Sequence, residues 1–150
     1  MTVTEEINSN VSTIEFTCPL TVNQQEDFMH RIFDVVHIGV STSSLTWLVD
    51  NYAKTFNVKE LLNSRMKNEK YSPTYDFPLA KVVYENMGLG NSRDNFYETK
   101  FKMIKYMVNL GANPKVLKEK YMGYDIHLDF LLMTGVVNQE IYDYLVNFNV

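Results

Sequence analysis

An all-α domain of stacked helix-turn-helix units, about three hairpins long, is the fold this sequence predicts, and three observations carry the prediction. First, Ile104-Lys-Tyr-Met-Val-Asn-Leu-Gly-Ala-Asn-Pro114 reads as an amphipathic helix with its stop attached. Ile104, Met107, Val108 and Gly111 share one face, Gly111 suits the left-handed position that ends a helix, and Pro114 bars its resumption. Second, the segments Leu45-Thr-Trp-Leu-Val-Asp-Asn51 and Tyr142-Asp-Tyr-Leu-Val-Asn-Phe148 repeat its order of aromatic, Leu or Met, Val, then Asp or Asn. Third, each of the three segments follows another apolar stretch of helical period, as a paired-helix unit requires.

In chain order, residues 1–22 form an N-terminal segment, irregular or a short strand, since Ile14-Glu-Phe-Thr-Cys18 alternates with period two. Residues 23–150 form the helical repeat domain. Its first hairpin pairs 24–37, built on Asp27-Phe-Met-His-Arg-Ile-Phe-Asp-Val-Val36, with 43–55. A short helix over 58–66 bridges to the second, which pairs 77–87 with 97–110. There Pro78 suits the first helical turn, where a missing N–H is harmless, and Leu79, Val82 and Val83 make an i, i+3, i+4 stripe. Residues 88–99, with Gly88, Gly90 and a polar middle, read as an insertion. The third hairpin pairs 125–134 with 138–148; Leu128, Leu131 and Leu132 repeat the stripe and Gly135 closes the helix.

The chain's 150 residues fit one domain, and 45% hydrophobic content with 19 Phe and Tyr supplies a core and argues against disorder. No apolar run approaches the roughly 18 to 20 residues of a membrane span, and the polar, acidic first residues do not read as a secretory signal. Cys18 stands alone, so no internal disulfide forms, which fits an intracellular, cytoplasmic setting. The abundance of Asn, Lys and Tyr is associated with AT-rich coding sequence, and so with a virus, a phage or an intracellular microbe acting in a host cytoplasm.

The net charge of -4 is unevenly spread: residues 1–60 carry -5, residues 61–120 carry +5 and residues 121–150 carry -4. A basic middle is the basis of one alternative function, a helical nucleic-acid-binding protein using Lys100, Lys102 and Lys105. The plainer account is that these lysines, with Lys115, Lys118 and Lys120, keep amphipathic helices soluble.

Chemistry-bearing patterns are sparse. His30, Asp34 and His37 share a helix face, but the outer pair lies two turns apart, so neither a metal nor any other cofactor is expected. Cys18 precedes Pro19 with no base beside it in sequence. A small enzyme of unrecognised fold, the second alternative, would gather His30 or Cys18 with carboxylates in a pocket. No residue set commits the chain to catalysis.

Pro78-Leu79-Ala80 leading into an apolar helix, then residues 104–114 ending in Gly-Ala-Asn-Pro, resemble the ankyrin repeat. That family's pattern is a Thr-Pro-Leu-His helix start and a second helix ending in paired aliphatics and Gly-Ala-Asp/Asn. The resemblance covers residues 76–148 and is most specific over 101–114. Phe77 stands at the Thr position and Ala80 at the His position, the third copy reads Ile126-His127-Leu128-Asp129, and Gly135 stands at the inter-helix glycine. These departures leave the helices as the expectation, without the family's β-hairpin fingers. The resemblance implies a protein–protein interaction module, of adaptor or decoy behaviour, whose partner protein it does not name; it implies neither nucleic acid nor membrane as partner. Repeat ends without a polar cap expose apolar surface or pack on a second copy, so self-association is open. The candidate contact residues are Tyr71 and Tyr75 on the turn before the second hairpin, and Arg93, Asn95, Phe96 and Tyr97 in the insertion. Trp47 occupies the repeat position of Tyr106 and Tyr144, and is expected in the packing between repeats.

Overall fold

Thr21 opens the first helix with a capping box: its hydroxyl oxygen accepts from Gln24 N at 3.2 Å, and the Gln24 side chain accepts from Thr21 N at 2.9 Å. The structure, a computed structural model, describes residues 17–150, and most of the N-terminal segment, including Ile14 to Phe16 of the expected strand, lies outside them. Helix α1 (Val22–Phe33) buries Gln25, Phe28, Met29 and Ile32 at helical spacing. It continues through one π-helical turn, Asp34–Ile38, and stops at Gly39, which is left-handed with φ 89°. Helix α2 (Ser43–Ala53) returns alongside, burying Leu45, Leu48 and Val49.

Helix α3 (Val58–Leu62) is the expected bridge, capped by the Asn57 side chain accepting from Glu60 N. Strands β1 (Met66–Lys67) and β2 (Tyr75–Asp76) then pair antiparallel, Met66 opposite Asp76 and Lys67 opposite Tyr75. Helix α4 (Pro78–Tyr84) follows directly, with Pro78 in its first turn and all seven residues buried. At roughly 1.5–3 kcal/mol for each fully buried Leu or Val, this short helix is the centre of the core. Helix α5 (Arg93–Asn109) packs against it and is capped by the Ser92 hydroxyl accepting from Asn95 N. The helix therefore begins four residues before the expected 97, and the insertion shortens to the loop 85–92.

After α5 the chain turns at Gly111, with φ 110°, and enters a 3-10 helix, Pro114–Lys118. Tyr121 and Tyr124 form a β-bridge whose two intervening residues, Met122 (φ 51°) and Gly123 (φ 82°), are both left-handed, as in the tight turn of a hairpin. Helices α6 (Leu128–Thr134) and α7 (Gln139–Val146) make the last pair, joined through Gly135 and capped at Asn138. The described residues are thus mostly helical, as expected, with α1 and α2, α4 and α5, and α6 and α7 in contact, and a small β element before α4 and before α6 where none was expected.

Buried polar side chains tie successive units by reaching main-chain atoms of their neighbours. The Gln25 amide donates to Leu20 O and accepts from Lys67 N at 3.0 Å, fixing α1 to β1. The Asp76 carboxylate accepts from Met122 N at 3.0 Å, joining the first β element to the second. The Tyr84 hydroxyl donates to Leu117 O. Lys100, fully buried, donates to Val83 O (2.7 Å), Glu85 O (2.7 Å) and Val136 O (2.9 Å), with Phe96 under its ammonium at 4.6 Å. Burial pulls the Lys100 ammonium well below its ordinary value, and the nearby Glu85 carboxylate acts in the opposite direction.

Candidate recognition surface

The connections inside the three hairpins meet along one edge. Gly88 N donates to His37 O at 2.7 Å, and the His37 Nδ1 pairs with Asn86 O at 2.9 Å, so the first and second connections are hydrogen-bonded to each other. The Asn91 amide donates to Val36 O at 3.4 Å and packs over Gly39. Gly88 sits so close to its neighbour that a Cβ there would lie 2.4 Å from His37 O. The third connection joins through Tyr97, whose hydroxyl donates to Gly135 O at 2.7 Å, and Arg93, which donates to the same Tyr97 hydroxyl at 3.3 Å.

Three apolar side chains project from this locked junction: Ile38 (51% exposed), Val40 (43%) and Leu89 (109%). Binding residues fall disproportionately on loops held by a rigid scaffold, which makes this junction the candidate. Two of the sequence candidates border it. Asn95 is exposed and donates to Asn91 Oδ1 at 2.7 Å, while Arg93 is exposed between the second and third connections.

Phe96 and Tyr97 are structural instead. Phe96 is 1% exposed beneath the Lys100 ammonium, and so is core and not a contact residue. Tyr97 is half-buried and spends its hydroxyl on Gly135. The helix explains both: once α5 starts at Arg93, Phe96 falls on the face that carries Lys100, Met103 and Met107. Tyr71 and Tyr75 lie apart from this edge, on the β element before α4, with Tyr71 90% exposed beside the Lys70 ammonium and Tyr75 45% exposed.

Trp47 departs from expectation as well. It is 61% exposed, because Leu45, Leu48 and Val49 define the buried face of α2 and position 47 points away from it. Its repeat counterparts, Tyr106 and Tyr144, are half-buried.

The charged and nucleophilic residues separate. Lys100 is removed from the basic surface by burial, while Lys102 and Lys105 remain exposed, the first near Glu98 at 3.7 Å and the second over the Phe101 ring at 4.2 Å. His30 and His37 are held apart by the Phe33 ring, which stacks between them at 6.1 and 4.6 Å. Among the described residues no group of three or more His, Cys, Asp and Glu is placed to hold a metal ion. Burial pushes the Cys18 thiol up, opposite to what an activated nucleophile needs. Among the described residues no helix is long and apolar enough to cross a membrane.

Comparison of the chain with family models, with curated proteins and with solved structures finds no match in any of the three.

Proposed function

We propose that this chain is a protein–protein interaction module of ankyrin-like build, which grips a partner protein along the edge formed by Ile38, Val40 and Leu89. The observation that carries the reading is the junction itself: exposed apolar side chains on two connections that are hydrogen-bonded to one another through Gly88 and His37. A rigid frame lowers the entropic cost of binding, and apolar anchors supply the affinity. The ankyrin-like assignment is supported by the order of parts, a small β element leading into each of α4 and α6, and glycines turning the chain after α5 and α6. A composition typical of AT-rich coding sequence makes a host component the partner to try first.

The test is affinity capture from extracts of the source and of its host, with wild type and with Ile38→Asp and Leu89→Asp, followed by binding of the purified candidate. The expected result is a partner bound by wild type and weakened at least about tenfold by either substitution, at unchanged thermal stability. A partner held equally by both variants, or one released by nuclease treatment, refutes the reading.

A further inference from the structure

Two stretches of the chain carry the same order of residues. Glu69-Lys-Tyr-Ser-Pro-Thr-Tyr-Asp-Phe-Pro-Leu79 and Glu119-Lys-Tyr-Met-Gly-Tyr-Asp-Ile-His-Leu128 both read Glu-Lys-Tyr, a short turn, Tyr-Asp, and three residues on the Leu of a helix. The first holds β2 and leads into α4; the second holds the Tyr121 to Tyr124 bridge and leads into α6. The copies also adjoin in space, because the Asp76 carboxylate, next to Tyr75, accepts from Met122 N in the middle of the second turn.

What the repeat leaves outside is aromatic. Tyr71 and Tyr75 in the first copy and Tyr124 in the second, 71% exposed, stand in water, while every other described tyrosine is half-buried or buried. Tyr121, the counterpart of Tyr71, is buried and donates its hydroxyl to Glu85 Oε1 at 3.2 Å. Both turns are braced by their own hydrogen bonds: Ser72 N donates to Glu69 O at 3.1 Å, and Tyr121 and Tyr124 exchange backbone bonds of 2.9 Å. Tyrosines on a fixed frame offer a large amphipathic contact area at low entropic cost.

The charges of the repeat sort by partner. Glu69 faces the buried Lys81 at 3.5 Å, Glu119 faces Arg65 at 3.7 Å, and Asp76 accepts from Asn68 and Met122. Lys70 and Lys120, the lysine of each copy, are exposed and within ion-pair reach of no carboxylate among the described residues. Lys70 lies over the Tyr71 ring at 5.5 Å, so ammonium and aromatic form one unit. Against them the repeat exposes one carboxylate without a cation, Asp125. The surface is therefore aromatic with a small positive surplus.

We infer that the two copies form a docking surface for a short acidic segment of a partner protein, its carboxylates on Lys70 and Lys120 and its apolar part on Tyr71, Tyr75 and Tyr124. Tyrosine hydroxyls can donate to the same carboxylates. A nucleic acid is held through many phosphates, and it would find few free ammoniums here on a chain of net charge -4. From the protein-binding reading this takes only the kind of partner, and the peptide below is free of that assumption.

The experiment is a titration of the isotope-labelled full chain with acetyl-Glu-Glu-Leu-Glu-Glu-amide in about 50 mM salt, followed at the backbone amides of Lys70, Tyr71, Lys120 and Tyr124. The same peptide with Gln for every Glu, and octauridylate, serve as comparisons. Saturable shifts at these amides are expected with the acidic peptide, absent with the Gln peptide and weaker with octauridylate. Lys70→Glu with Lys120→Glu should weaken binding about tenfold or more, and Tyr124→Ala at least about threefold. Lys102→Glu with Lys105→Glu, an equal change of net charge at exposed positions of α5, should leave it within about twofold. Shifts that do not saturate, an equal response to the Gln peptide, tighter binding of octauridylate, or the same affinity in the two double variants overturns the assignment. Leu89→Asp separates this surface from the Ile38, Val40 and Leu89 edge: it should leave the peptide response intact, so loss of partner capture there and loss of the peptide response in the lysine variant fail independently.

Discussion

Asn63 holds the turn that follows α5: its side-chain oxygen accepts from Asn113 N at 2.8 Å, and its amide donates to Gly111 O at 2.9 Å. The same amide also donates to Lys59 O at 2.8 Å, so one side chain, 1% exposed, clamps the end of α3 to the Gly-Ala-Asn-Pro stop. Replacing it removes the side-chain partner of the part-buried Asn113 N–H and Gly111 carbonyl, while the Lys59 carbonyl keeps its bond from Asn63 N. Asn63→Ala is expected to lower stability by about 2–4 kcal/mol, measured by urea unfolding. A loss under about 0.5 kcal/mol, the range of an ordinary surface change, counts against the clamp.

Lys100 joins three backbone carbonyls of two hairpins, and an ammonium has one proton for each. Lys100→Met preserves the length of the stem and removes all three donors. The expected cost is about 3–5 kcal/mol in denaturant unfolding, as for a broken buried polar cluster. Lys102→Met, at an exposed position on the same helix, is expected to change stability by less than about 0.5 kcal/mol.

These two side chains mark what the sequence alone discloses. The helices were legible because their apolar spacing reports the buried face, and the Gly111–Pro114 stop is a local steric effect. Lys100 was read with its neighbours as surface charge, although the spacing Phe96, Lys100, Met103, Met107 places it on the apolar stripe of α5. That signal was available and was outweighed by residue type. The start of α5 was missed because glycines at 88 and 90 obscured the Ser92 cap. The short β elements were invisible, since two-residue strands carry no period-two pattern. Asn63 and Asn68 gave no sign, because which asparagine becomes buried depends on contacts made about 50 and 8 residues away. Of the candidate surface, the glycines and polar middle of the insertion marked the 88–92 loop in the sequence, but the partnering of Gly88 with His37 belongs to tertiary packing.

Alkaline titration separates two effects of opposite sign. Burial pushes the Tyr84 and Tyr121 phenols above the ordinary value of 10.0, and the Glu85 carboxylate adds to the effect at Tyr121. Above pH 10 the unfolded chain therefore loses protons the folded chain keeps, and stability falls as pH rises. Lys100 has its folded value depressed below the ordinary 10.5, so between the two the unfolded chain binds the extra proton and stability rises with pH. Urea unfolding across this range is expected to give a rising limb that disappears in Lys100→Met and a falling limb above pH 10 that shrinks in Tyr84→Phe. Phenolate absorbance showing all ten tyrosines ionising together in the native chain would rule out the buried pair.

Trp47 is the single tryptophan, so its emission reports one site. At 61% exposure the native spectrum is expected close to that of the unfolded chain and open to quenching by iodide. Trp47→Ala should alter stability by less than about 0.5 kcal/mol. A native emission strongly shifted to shorter wavelength and protected from iodide restores the packing role that the repeat alignment suggested.

Gly88 and Gly90 lie two residues apart on the same loop, and their surroundings predict opposite outcomes for the same substitution. A Cβ at Gly90 meets nothing within 4 Å, whereas one at Gly88 lies 2.4 Å from His37 O and 2.8 Å from His37 Cδ2. The first distance is to backbone, which cannot swing aside, so Gly88→Ala must push the two connections apart and break the Gly88 N to His37 O bond. The expected loss is about 1–3 kcal/mol. Ile38 and Leu89 no longer share a fixed frame once that bond is gone, so partner binding should weaken beyond what the stability loss alone explains. Gly90→Ala leaves both quantities within about 0.5 kcal/mol of wild type. Thermal unfolding and binding of the two variants measured side by side decide the matter: equal behaviour of Gly88→Ala and Gly90→Ala means the connections are not joined, and the rigid edge with them is lost.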